Sequence, residues 1–100
     1  MVTCPDTDVA GAIAEACVSE CLAACVNLLP GLTSVYRWEG AVHKDSEALL
    51  LLKTHRGLLE ALKGRVVALH PYSVPEFVVL PIVAGSREYL GWMAELLRNP

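Results

Sequence analysis

The chain is short of charge. Only 19% of its 100 residues are Asp, Glu, Lys or Arg, and eight bases against eleven acids leave a formal charge of −3. That composition lacks the basic footprint that nucleic acid requires, so a nucleic-acid partner is not expected. Long hydrophobic runs are missing too. None reaches the roughly 18 residues of a membrane helix, so no membrane partner is expected. The N-terminus, MVTCPDTD, has no basic region followed by an apolar core and is not read as a secretory signal. On this reading the protein stays in the cytoplasm, and its four cysteines are reduced thiols rather than a disulfide framework. Enzyme signatures are also absent: there is no GxSxG, HExxH, Walker loop or GxGxxG, and the reading is of a protein that is not an enzyme. No repeat, linker or low-complexity stretch divides the chain, so residues 1–100 are read as one domain.

What the chain has in excess is apolar side chains, at 54% of residues. A chain this short has much surface for its volume, so the excess points to a sizeable oligomer interface. An unusually apolar monomer is the alternative.

The stretch from Ala24 to Thr54 reads as two long strands joined by a tight turn. From Leu32 to Glu39 the residue types alternate, with Val35, Arg37 and Glu39 on one face and Ser34, Tyr36 and Trp38 on the other. Glu39-Gly40 is the turn, since glycine adopts positive φ without cost. The return strand, from about Val42 to Thr54, carries Leu49-Leu50-Leu51-Leu52, as expected of a strand covered on both faces. Pro30-Gly31 interrupts the first strand and predicts a bulge or kink at a sheet edge, because proline donates no ladder hydrogen bond.

Around this hairpin the spacing predicts helices at about Thr7–Cys21, capped by Asp6 or Thr7, at Thr54 or His55 to Leu69, and at Arg87–Leu97 after Gly85-Ser86. Val74–Val83 reads as a strand, with Pro75 and Pro81 marking an edge or a break in pairing. The order is β-α-β-β-α-β with a terminal helix, the split βαβ pattern of an α+β protein with a ferredoxin-like antiparallel sheet.

The segments ACVNLLPGLTSVYRWEG, LLLLKT and HPYSVPE, in that order and at that spacing, resemble the CutA divalent-cation tolerance proteins. The resemblance covers nearly the whole chain. It implies a ferredoxin-like α+β fold assembled as a homotrimer, and a small binding protein in the response to copper or other divalent metal ions. The family has an apolar first strand, and here only Met1-Val2-Thr3-Cys4 precedes Pro5-Asp6. Either that strand is short or the start lies upstream. In some relatives a first-strand cysteine and a His-His pair before Pro-Tyr are described as copper ligands. Here those positions hold Val2 and Leu69, and only His70 remains. The resemblance therefore implies weak binding of copper or another divalent cation, with His70 as the candidate ligand and Cys4 as a displaced alternative.

Cys17, Cys21 and Cys25, spaced by four, would stack thiols on one face of a continuous helix and offer a soft-metal site. The expected strand start at Cys25 breaks the stripe, and CxxxCxxxC lacks the CxxC pairs of structural zinc sites. We read Cys17 and Cys25 as small core hydrophobes. Helical spacing puts Cys21 on the face of Cys17, while the family resemblance implies an exposed position near the helix end; we take the latter, since the helix frays there. Tyr36, Trp38, Lys53, Tyr72, Glu76, Tyr89 and Trp92 fall in or near the shared motifs. They are candidates for an intersubunit pocket, an aromatic wall with a few converging charges. Packing at the subunit interface and in the core is the alternative. A second functional reading is a signalling or scaffold trimer like the PII proteins, binding a small ligand in clefts between subunits.

Overall fold

The computed structural model describes residues 1–99. Its elements are β1 (Val2–Cys4), α1 (Thr7–Ser19), β2 (Cys25–Trp38), β3 (Ala41–Lys53), a 3-10 turn (Arg56–Leu58) that runs into α2 (Leu59–Leu69), and α3 (Arg87–Leu96). No helix among the described residues is long and apolar enough to cross a membrane. The strands form one antiparallel sheet in the order β1-β3-β2.

The hairpin forms as its residues dictate. Glu39 and Gly40 both take positive φ, 49° and 79°. This is the two-residue turn whose twist matches that of the flanking strands. Pairing runs from Trp38↔Ala41 to Leu32↔Glu47 and resumes at Leu29↔Leu49. Between those pairs β2 sets Pro30 and Gly31 against Ala48 alone, which makes a bulge. Gly31 takes φ 77° there. The bulge reverses the alternation of β2. Cys25, Asn27 and Leu29 share a face with Lys53, Leu51 and Leu49. Beyond the bulge the even-numbered Leu32, Ser34, Tyr36 and Trp38 take that same face, opposite Glu47, Asp45, His43 and Ala41.

Helices α1 and α2 cover the other face. Val2, Cys4, Ala48 and Leu50 from the sheet pack with Ala10, Ile13 and Cys17 of α1 and Leu62 and Val66 of α2, all buried. The leucine run is thus covered on one face only within the chain: Leu50 is fully buried, while Leu49 is half-buried and Leu51 is exposed.

Helix α1 starts where Asp6 accepts a hydrogen bond from the Val9 N–H at 2.8 Å, a side-chain cap on an otherwise unpaired donor. It ends at Ser19, two residues short of the expected Cys21. The closure is of the Schellman type. Cys21 N–H reaches Val18 O at 3.0 Å and Leu22 N–H reaches Cys17 O at 2.9 Å. Cys21 sits at φ 58°, in the left-handed position that usually holds glycine. Its side chain is exposed, Cys17 is buried and Cys25 is half-buried.

The strand expected at Val74–Val83 is not formed. The segment runs beside β1 and makes one reciprocal pair there, Val78 N–H to Met1 O at 3.1 Å and the Met1 amino group to Val78 O at 2.8 Å. The physical reason is the neighbour on offer. β1 is only three residues long, and Pro75 and Pro81 have no N–H to give. Beyond Val78 the segment leaves the sheet as an arm, with Leu80, Ile82 and Val83 exposed, Val83 at 91%.

Candidate functional site

Two groups of side chains lie on and around the face that α1 and α2 leave open. The first is built on β3 beyond the bulge. Period-two alternation places His43, Asp45 and Glu47 side by side, with Tyr36 across from His43. The Tyr36 hydroxyl donates to Asp45 Oδ2, and its ring stacks on His43 with centroids 5.6 Å apart. The Tyr72 hydroxyl, arriving from the segment after α2, donates to Glu47 Oε2 at 3.0 Å. Glu47 is only 8% exposed, yet no cationic side chain pairs with it; among the described residues the one ion pair is Arg65–Glu20 at 2.9 Å. Both phenols are held in their protonated form. Burial, then donation to Glu47, pushes Tyr72 up to about 12, and the bond to Asp45 raises Tyr36.

His70 closes this group at the sheet edge. Its Nδ1 accepts from the Tyr72 N–H at 3.2 Å. That leaves Nε2 to carry the proton and donate to Thr3 O at 2.8 Å. The ring is 7% exposed and both nitrogens are in use. The described residues contain no group of three or more His, Cys, Asp or Glu that could hold a metal ion.

The second group lies at the other end of β3. Lys53 Nζ donates to Tyr89 Oη at 3.3 Å and sits 5.4 Å from that ring's centroid. Tyr89 packs on Trp92 with centroids 5.4 Å apart. Beside them a cavity of about 750 Å³ opens beneath the arm.

The seven candidate pocket residues are thus spread over several places in the chain. Tyr36 and Tyr72 meet through the two carboxylates. Lys53, Tyr89 and Trp92 form the second group. Trp38 is exposed at the hairpin tip, paired with Ala41. Glu76, at the base of the arm, has a buried Oε2 with no hydrogen-bond partner among the described residues. Reading the sequence alone passes over Asp45 and Glu47. The alternation H-K-D-S-E on β3 is the signal, because it puts both acids on the face of Tyr36.

The profile of the CutA1 divalent ion tolerance protein family matches residues 1–96. The chain belongs to that family. The divalent-cation tolerance protein CutA of Thermus thermophilus is 58% identical over 95 residues, which span 95% of this chain and 92% of that protein. Among solved structures, the Cut A1 protein of Thermus thermophilus superposes with a TM-score of 0.95 at 57% identity, covering 97% of this chain and 94% of that one. CutA1 of Oryza sativa superposes with a TM-score of 0.96 at 46% identity, covering 99% of this chain and 91% of that one. This CutA1-family chain therefore carries the family's α+β fold through its full described length. The family is named for tolerance of divalent ions and not for a catalysed reaction.

Proposed function

We propose that this chain acts as a ferredoxin-like homotrimer in the cytoplasm and contributes to divalent-cation tolerance by weak cation binding, copper included, without catalysis. The observation that carries the binding role is the Asp45–Glu47 pair. Two acids, one of them nine-tenths buried, share a face with no cationic side chain to balance them. Such a site gains from a cation, and oxygen donors suit the harder divalent ions. For copper the candidate is His70. Its ring must first give up a backbone hydrogen bond to bare a nitrogen, and that cost of about 1 kcal/mol weakens the site.

Assembly is supported by what the chain leaves open. β2 is an edge of 14 residues, the leucine run is covered on one face only within the chain, and beyond Val78 the arm leaves the sheet with Leu80, Ile82 and Val83 exposed. Such edges invite pairing with another chain, and a closed ring of identical subunits leaves none exposed. Calorimetric titration of reduced protein with copper and zinc, with sedimentation of the same samples, tests both parts. The expected results are weak binding, weaker still in Glu47→Gln, and a trimer at low micromolar concentration. Tight stoichiometric binding that is unchanged in Glu47→Gln and His70→Ala, or a folded monomer, counts against the proposal.

A second reading, a PII-like signalling or scaffold trimer with a small ligand in clefts between subunits, is favoured by the cavity beside Lys53 and Tyr89.

A further inference from the structure

The cavity under the arm differs in charge from the rest of the molecule. Acids outnumber bases eleven to eight in the chain, yet the lining holds Lys53, His55 and Arg56 and no Asp or Glu. These three cluster where β3 ends and the turn into α2 begins. Neither Lys53 nor Arg56 has a carboxylate within ion-pair distance among the described residues. Lys53 is steadied by its contact with Tyr89 and keeps further donors free. His55 Nδ1 accepts from the Gly57 N–H at 3.1 Å, so its Nε2 carries the proton and is a further donor. The start of the turn into α2 adds the positive end of a helix to the same place. Below this basic mouth the walls are apolar, with Leu59, Leu62, Phe77, Ile82, Leu90 and Met93 among them. A volume of about 750 Å³ falls within the roughly 300–1,000 Å³ of small-molecule sites.

Building on the cleft reading above, we propose that this cavity binds a small amphipathic anion. Its single anionic head sits at Lys53 and Arg56, and its aromatic or branched apolar body lies beneath the arm. A cation is repelled by the mouth, and a wholly polar anion loses its hydration against the apolar walls with nothing to offset the loss. A neutral apolar molecule fills the walls but leaves the three donors unused.

The test is a matched pair of fluorescent probes, 1-anilinonaphthalene-8-sulfonate and N-phenyl-1-naphthylamine, which differ by the sulfonate. Each is titrated against the intact protein and against Lys53→Met, Arg56→Gln and, as a control on the outer face of α2, Lys63→Met. The expected result is sulfonate binding at one per chain, weakened about 3- to 10-fold by either mouth substitution and by salt. The naphthylamine should be insensitive to all three. Sulfonate binding that does not respond to Lys53→Met or Arg56→Gln overturns the proposal, as does equal behaviour of the two probes. Sedimentation of the same samples separates this from the assembly. A trimer that binds neither probe overturns the anion site and leaves the trimer standing. A monomer that binds the sulfonate through Lys53 supports the site and removes the subunit cleft.

Discussion

Tyr72 donates its phenolic proton to Glu47 across 25 residues of chain, and this bond is the one hydrogen bond to the Glu47 carboxylate among the described residues. It ties the segment after α2 to the open face of the sheet. Removing the hydroxyl leaves a nine-tenths buried carboxylate with neither donor nor counter-ion. Tyr72→Phe should cost about 1–3 kcal/mol in denaturant unfolding. Glu47→Gln keeps an acceptor and removes the charge, so it should cost less. Equal losses in the two single variants would show that the charge on Glu47 is not what the bond stabilises.

Alkali should destabilise the fold in a defined window. Burial pushes the thiols of Cys4 and Cys17 from 9.0 up to about 11, and Tyr72 from 10.0 up to about 12. In each case the unfolded chain loses its proton first as pH rises. The stabilising contribution is therefore whole below about pH 9 and is lost between about pH 9 and 12. Unfolding midpoints measured across that range check it. The fall at the upper end of the window should be shallower in Tyr72→Phe. A midpoint that stays level through the lower part contradicts the burial of the two thiols.

The thiols should separate by exposure. Brief alkylation of native protein followed by mass spectrometry should modify Cys21 first and Cys25 later, with Cys4 and Cys17 protected until unfolding. Cys21 also occupies a left-handed position at the end of α1. Cys21→Gly should raise stability by about 1 kcal/mol, the usual penalty of a side chain there. A loss of stability instead would mean that the Schellman closure is not formed in solution.

Gly31 is the converse case. At φ +77 within the bulge it has open space around it, so alanine there meets no clash, only backbone strain. Gly31→Ala should cost about 1–2 kcal/mol. Gly11, in a helical conformation with the same open space, should gain up to about 1 kcal/mol from the same change. The comparison in one thermal-unfolding series isolates the contribution of the bulge.

The elements legible in the sequence are those decided by near neighbours. The hairpin follows from alternation, from Glu39-Gly40 and from Pro30-Gly31, all of which act within a few residues. The helices follow from caps at Asp6 and Ser86 and from apolar spacing. The exposure of Cys21 is what the family resemblance implies and not what helical spacing alone gives, and the helix end it occupies is closed rather than frayed. Val74–Val83 misleads because strand character in the residues does not supply a partner, and β1 offers only three residues of edge. The leucine run is a different case: it lies on β3, the central strand, but within the chain α1 and α2 cover only one of its faces. Of the site, the aromatic residues stand out by type, while Asp45 and Glu47 look like solvated charge. Their importance comes from Tyr36 and Tyr72, one a strand away and one beyond α2.

The pairing of Met1 with Val78 joins residues 77 apart and closes one of the longest loops in the chain. Loop-closure entropy makes such a contact slow to form until the hairpin and helices have already drawn the ends together. Contacts of this sequence separation, this one and the equally distant Arg98 N–H to Cys21 O, are expected to close late as the protein folds. Hydrogen exchange at the Val78 amide should run ahead of that along β3. Early exchange there would mean that the arm beyond Val78 is released before the rest of the fold, and two half-finished chains that meet could then exchange arms before either has closed its own.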